Sequence, residues 1–231
     1  MMEREKRNIN LDLIRSVAVF NVVGVHFFLN SGFYGEQILE KKMLILCIDR
    51  SMFMTCVPLF LLLSGYLMTN KTLSVQYYKG IWKTLIIYLL ASGVCITYRN
   101  IVCNENIDIY KAILLILAFQ GDEYSWYIEM YISLFLMIPF LNVLYHGLRN
   151  QNHKKALLMT LIIVTVLPSV MNNFNLMDLH WWKMPSISMN YNKLMPSFFT
   201  SMYPLTYYFI GSYLREYGWY FEKRKILYYY M

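Results

Sequence analysis

Residues 11 to 28 read LDLIRSVAVFNVVGVHFF, an apolar run that nevertheless carries Asp12, Arg15 and His26. Read as a helix, its eleven steps from Arg15 to His26 make three turns plus about 20°, so both side chains point the same way, about 16 Å apart along the axis. Asp12, Arg15, Val19, Val22, His26 and Asn30 thus form one stripe at helical spacing. A cation at mid-membrane costs at least about 2.5 kcal/mol, so this stripe is expected to face a bundle interior or a wet cavity rather than lipid. Two plainer readings stand beside that one: Arg15 is only two turns into the run and can snorkel to the headgroups, and an intramembrane histidine can serve an interhelical hydrogen bond.

The rest of the chain places this run in a membrane. Of 231 residues, 58% are apolar or aromatic and 15% are charged, well below the roughly 25% charged of a soluble domain. About 20 apolar residues cross the hydrocarbon core, and six windows qualify: Ile9 to Leu29, Ser51 to Met68, Ile81 to Tyr98, Trp126 to Tyr145, Ala156 to Met171 and Pro196 to Leu214. The first has a basic lead in Arg4, Lys6 and Arg7, but its run is too long for a signal peptide and no small-residue cleavage site follows. The predicted fold is an all-α polytopic transmembrane bundle of six full spans plus the start of a seventh. No internal repeat or soluble appendage interrupts it, so residues 1–231 read as one membrane-embedded domain.

The net charge of +7 does not form a solvated nucleic-acid face, because the lysines and arginines sit in short loops, where they report orientation. With the N-terminus cytoplasmic, inside loops hold 13 Lys and Arg and outside loops 7, leaving Arg15 within the first span. Ile109 to Phe119 is apolar but short. If it crossed, the count would become 8 inside against 12 outside, so it is expected to lie flat in the outer interface.

Cys47, Cys56, Cys95 and Cys103 show no metal-ligand spacing. A Cys47–Cys103 disulfide on the outer side and free cysteines used as small apolar fillers are both open readings. The longest outer segment, Asn172 to Ser197, carries His180, Trp181, Trp182 and Tyr191, an interfacial aromatic belt or a stacking surface for a sugar acceptor. Glu222-Lys223-Arg224-Lys225 looks like the flank of a seventh span of which only Ile226 to Met231 follow, which reads as a truncation.

Span two contains VPLFLLLSGYLMTNK (Val57 to Lys71), span three opens YYKGIWKTLIIYLL (Tyr77 to Leu90) and span four SWYIEMYISLFLMIPFLN (Ser125 to Asn142). With NLDLIR and the histidine after it, these resemble the acyltransferase 3 family, multi-pass membrane enzymes that move acyl groups, often acetyl, onto sugars of surface glycans. The resemblance spans essentially the whole chain and the N-terminal two thirds of that family's ten-span domain. It implies that Arg15 and His26 match an Arg-x10-His motif whose histidine is catalytic. It also implies that the start of span three corresponds to an Arg-x-x-Arg motif handling the acyl-CoA donor. Here Lys83 fits the second basic position, Gly80 stands at the first, and Lys79 is its basic neighbour; lysine lacks arginine's bidentate fork.

The expected mechanism follows from the spacing. Arg15, Lys79 and Lys83 hold the donor phosphates near the cytoplasmic face, and the pantetheine arm carries the thioester to His26. The imidazole then acts either as general base on an acceptor hydroxyl or as nucleophile through an acyl-imidazole. Asp12 supports Arg15, while Ser64, Tyr66 and Glu129 are lesser candidates. Implied partners are acetyl-CoA or another acyl-CoA, a glycan or glycolipid acceptor and membrane lipid, with no metal and no nucleic acid. Two rivals remain: a truncated non-catalytic remnant, and a glycan-precursor transporter or flippase, for which paired halves and broken helices would speak and neither is visible in the sequence.

Overall fold

The computed structural model describes residues 8–36, 41–122, 124–176 and 191–218. In chain order its helices are α1 (Ile9–Asn30), α2 (Lys41–Phe53), α3 (Cys56–Met68), α4 (Val75–Lys79), α5 (Ile81–Ile101), α6 (Ile109–Leu117), α7 (Trp126–Gly147), α8 (Gln151–Leu161), α9 (Leu167–Met171) and α10 (Tyr203–Tyr217). No strand occurs among the described residues. Four helices start where a short polar side chain caps the first turn: Asn8 accepts from the Asn10 N–H, Ser74 from Tyr77, Asp108 from Lys111 and Asn150 from Asn152.

Two compact units result, Met1–Thr69 with Asn150–Met231, and Asn70–Arg149. In the first, α3 and α10 cross at glycines. A Cβ on Gly65 would strike the Tyr208 carbonyl, and one on Gly211 the Leu62 carbonyl, so the two backbones touch where side chains would hold them apart. Ser212 seals the crossing, its hydroxyl donating to the carbonyls of Tyr208 (3.2 Å) and Gly65 (3.4 Å).

α1 packs on α3 and α2; Ala18, Asn21 and Phe28 are its buried residues, and the Phe28 ring meets Phe53 of α2 at 6.0 Å. Asn21 donates to Thr55 Oγ1 (3.1 Å), and Thr55 donates to the Met52 carbonyl (2.7 Å). This pair sits at the interruption between α2 and α3, where Pro58 lacks the N–H that would reach back four residues. Polar side chains thus satisfy a break at membrane depth.

A second irregularity is the π-helical turn Ile162–Val166 between α8 and α9, just before Pro168. Thr165 gives its proton to the Leu161 carbonyl (2.8 Å), so Thr206 of α10 donates to Thr165 (2.6 Å). At one end of the unit Lys154 reaches Glu216 at 2.6 Å, Gln151 donates to the Tyr213 hydroxyl, and Arg215 lies over the Tyr66 ring. The start of α8 and the ends of α3 and α10 therefore share one end.

In the second unit α5 and α7 are antiparallel. Pro139 removes the N–H that would bond the Phe135 carbonyl. The Tyr77 hydroxyl takes that place at 2.6 Å, its ring stacked on Phe135 at 4.4 Å. Asn142 donates to the Lys71 carbonyl. At the other end Arg99 binds Glu105 at 2.7 Å and also reaches the Gln120 and Gly121 carbonyls. Asn100 pairs with the Ile107 backbone in both directions. Tyr88 donates to the Ile116 carbonyl and stacks on Phe119, fastening α6 to α5.

Among the described residues, five helices are long and apolar enough to cross a membrane: Ile9–Asn30, Lys41–Met68, Val75–Ile101, Trp126–Gly147 and Gln151–Met171. The second differs from the expected Ser51 to Met68 because its helix already exists at Lys41. The charges Lys41, Lys42, Asp49 and Arg50 hide that turn from hydropathy without opposing a helix. Against the expectation of unbroken helices, this one is broken at Met54–Thr55.

The sixth run is α-helical only from Tyr203, fifteen residues in all, after a 3-10 turn at Thr200–Met202, because Pro204 suits a first helical turn; Pro196 to Phe199 are not helical. α6, at nine residues, is about 14 Å long and too short to cross, as expected. All four cysteines are free. His180, Trp181, Trp182, the basic lead and the start of the seventh span lie outside the described residues.

Candidate active site on the first helix

α1 runs unbroken from Ile9 to Asn30, so the common direction of Arg15 and His26 follows from helix geometry. Arg15 donates to the Asp12 carboxylate at 3.1 Å, and its side chain remains 50% exposed. Three residues apart on one helix, the pair holds the guanidinium against its own helix. His26 is half-buried. The Asn30 amide nitrogen donates to the His26 backbone carbonyl at 2.8 Å.

The stripe expected to face the interior is not the packed face of α1. Ala18, Asn21 and Phe28 are buried, and they lie about 70°, 130° and 150° around the axis from the mean direction of Arg15 and His26. Val19, on the expected stripe, is 56% exposed. The apolar and polar stripes occupy neighbouring sectors, and the apolar one wins the contact with α3 because it alone offers the small Ala18 and the amide of Asn21.

Ser64 and Tyr66 have structural partners. Ser64 donates to the Phe60 carbonyl of its own helix at 2.9 Å, and the Arg215 guanidinium lies 4.9 Å from the centre of the Tyr66 ring. Their glycine neighbour, Gly65, makes the helix crossing.

In the second unit, Lys79 ends α4 and Lys83 stands in the first turn of α5, both exposed. Gly80 between them is helical (φ −61°, ψ −25°), so the two ammonium groups, four residues apart, share a face. Glu129 is exposed in the first turn of α7, where a carboxylate meets the positive end of the helix dipole. Sequence reasoning did not find the polar pairs Asn21–Thr55 and Thr165–Thr206. The one available signal was an amide or hydroxyl lying within a helix of a proline in an apolar run.

Long apolar helices, the first with an arginine and a histidine pointing the same way, define a helical membrane protein. The family model described as an acyltransferase domain, Acyl_transf_3, matches residues 8–231. The chain belongs to this acyltransferase 3 family, a family of membrane acyltransferases. No curated protein and no solved structure matches it.

Proposed function

We propose that the protein transfers an acyl group, acetyl foremost, from cytoplasmic acyl-CoA to a hydroxyl of an extracytoplasmic glycan or glycolipid, in the cytoplasmic membrane with the N-terminus inside. The observation that carries this reading is the common direction of Arg15 and His26 on unbroken α1, within a chain that belongs to the family. The shared end of α3, α8 and α10 supports the orientation, since Lys154 and Arg215 stand there.

Arg15, held by Asp12, offers a guanidinium to a donor phosphate. His26 acts at the thioester. As general base it accepts the acceptor hydroxyl's proton while that oxygen attacks the carbonyl; the carbon–sulfur bond breaks, and the proton passes to the departing CoA thiolate. As nucleophile its ring nitrogen attacks the carbonyl and the carbon–sulfur bond breaks, releasing CoA; the acceptor oxygen then attacks the acyl-imidazole, the carbon–nitrogen bond breaks, and the hydroxyl proton passes to the freed ring nitrogen. Lys83, at the second basic position of the family motif, and its neighbour Lys79, beside the Gly80 that stands at the first, serve the donor phosphates. A transporter of glycan precursors is the second reading, favoured by the break at Met54–Thr55.

The test uses the full chain in lipid nanodiscs with acetyl-labelled CoA and an acceptor glycan. Release of CoA with label in the glycan, lost in His26→Ala at unchanged thermal stability, is the expected result. Transfer retained in His26→Ala removes the histidine from the mechanism. Glycan movement across vesicles without CoA release replaces the enzyme reading by the transporter.

A further inference from the structure

A cavity of about 400 Å³ lies inside the first unit between α1, α3 and α10. Its polar end is formed by Asn8, Asn10 and Tyr66, and its interior by residues such as Ile14, Leu59, Leu63 and Leu214. Ile14 is six residues from Asn8 and Leu59 is seven from Tyr66, so the cavity runs about 10 Å along the helices from the end that gathers their termini. On α1 it borders the polar stripe: of the residues that line it, Leu11 lies about 50° and Ile14 about 110° around the axis from the mean direction of Arg15 and His26.

Charge at the polar end is uneven. Arg15 and Lys154 each have a carboxylate partner. Arg215 has none among the described residues; its guanidinium rests 4.9 Å from the centre of the Tyr66 ring, and that tyrosine lines the cavity. A cation on an aromatic ring keeps its outer N–H groups for an anion. We infer that this cavity holds one acyl chain of an anionic phospholipid, with the headgroup phosphate at Arg215.

The physical argument separates the two ends of that lipid. An acyl chain gains little by leaving other acyl chains for Leu59 and Leu63, since lipid tails are as apolar as leucine. Selection therefore comes from the headgroup, where one basic side chain at an anionic surface gives about a fivefold preference. Bound there, the lipid ties α1 to the α3–α10 pair.

The experiment is native mass spectrometry of the full chain extracted from nanodiscs containing phosphatidylglycerol and phosphatidylcholine with identical tails. One retained phosphatidylglycerol, enriched about fivefold over phosphatidylcholine, is expected. Arg215→Gln should bring the two lipids to equal retention, and Leu214→Trp, which fills the cavity from an exposed position, should release both while the protein stays folded by thermal unfolding. Equal retention in the unaltered protein, or a preference that survives Arg215→Gln, overturns the assignment. So does displacement of the retained lipid by long-chain acyl-CoA but not by acetyl-CoA, which would give the cavity to the donor's tail. None of these readouts depends on acyl transfer.

Discussion

Gly65 and Tyr208 meet backbone to backbone: the Tyr208 carbonyl oxygen occupies the position that a Cβ on Gly65 would take. Carbonyls cannot yield as flexible side chains do, so Gly65→Ala should cost about 3 kcal/mol or more by forcing α3 and α10 apart. Gly93→Ala is the matched control, with open space at its Cβ, and should stabilise by about 0.5–1 kcal/mol. Thermal unfolding in one detergent compares the two; equal melting temperatures would refute the tight crossing.

Asn21 and Thr55 should act as a pair. Asn21→Leu leaves Thr55 Oγ1 with its bond to the Met52 carbonyl and without its donor. The loss should be about 1 kcal/mol, the scale of interhelical hydrogen bonds in membranes. A double-mutant cycle with Thr55→Val reads the coupling; additive losses would show that the amide and hydroxyl do not support the α2–α3 break together.

Arg99 makes the loop between α5 and α6 of the second unit pH-sensitive. Its hydrogen bond, aided by charge, holds the Glu105 carboxyl below the usual range. Unfolded Glu105 binds a proton first as pH falls, so the stabilisation is complete above the unfolded pKa and disappears as pH drops through the lowered folded value. Exchange of the Ile107 amide in the unaltered protein and Glu105→Gln should differ at neutral pH and converge in acid. Parallel curves at every pH would contradict the latch.

Lys154 is 5% exposed and Glu216 36%. Lys154→Met takes the cation from a carboxylate that keeps partial access to water and its hydrogen bond with Tyr217, so the cost should be about 1–2 kcal/mol, below that of a fully buried pair. Adding Glu216→Leu should recover most of it. Failure of the second change to rescue the melting temperature would assign the loss to packing of the lysine stem.

His26 offers a kinetic distinction. A nucleophilic imidazole gives one equivalent of CoA release before acceptor is added, and a general base gives none. Rapid-quench measurement of free CoA without glycan separates them, and Asp12→Asn should weaken donor binding more than turnover if Asp12 acts only through Arg15.

The apolar runs of α1, α5, α7 and the α8–α9 segment were legible because crossing a bilayer demands local, contiguous hydrophobicity. The alignment of Arg15 with His26 was legible for the same reason: positions eleven apart are related by helix geometry alone. α2 was not, since Lys41, Lys42, Asp49 and Arg50 lower the mean hydropathy of a segment that is still helical. The short α6 was placed by charge counting, and its length agrees with that placement.

Sequence by itself determined that this is a helical membrane protein with an arginine and a histidine on one side of its first span, because helical period and membrane thickness are local constraints. Tertiary structure alone decided which side of α1 packs, that Gly65 and Gly211 let α3 and α10 touch, and that Thr55 and Thr165 find partners at helix irregularities. Those outcomes depend on the shapes of segments up to about 150 positions apart in the chain, and no periodicity along the chain encodes which surfaces will meet.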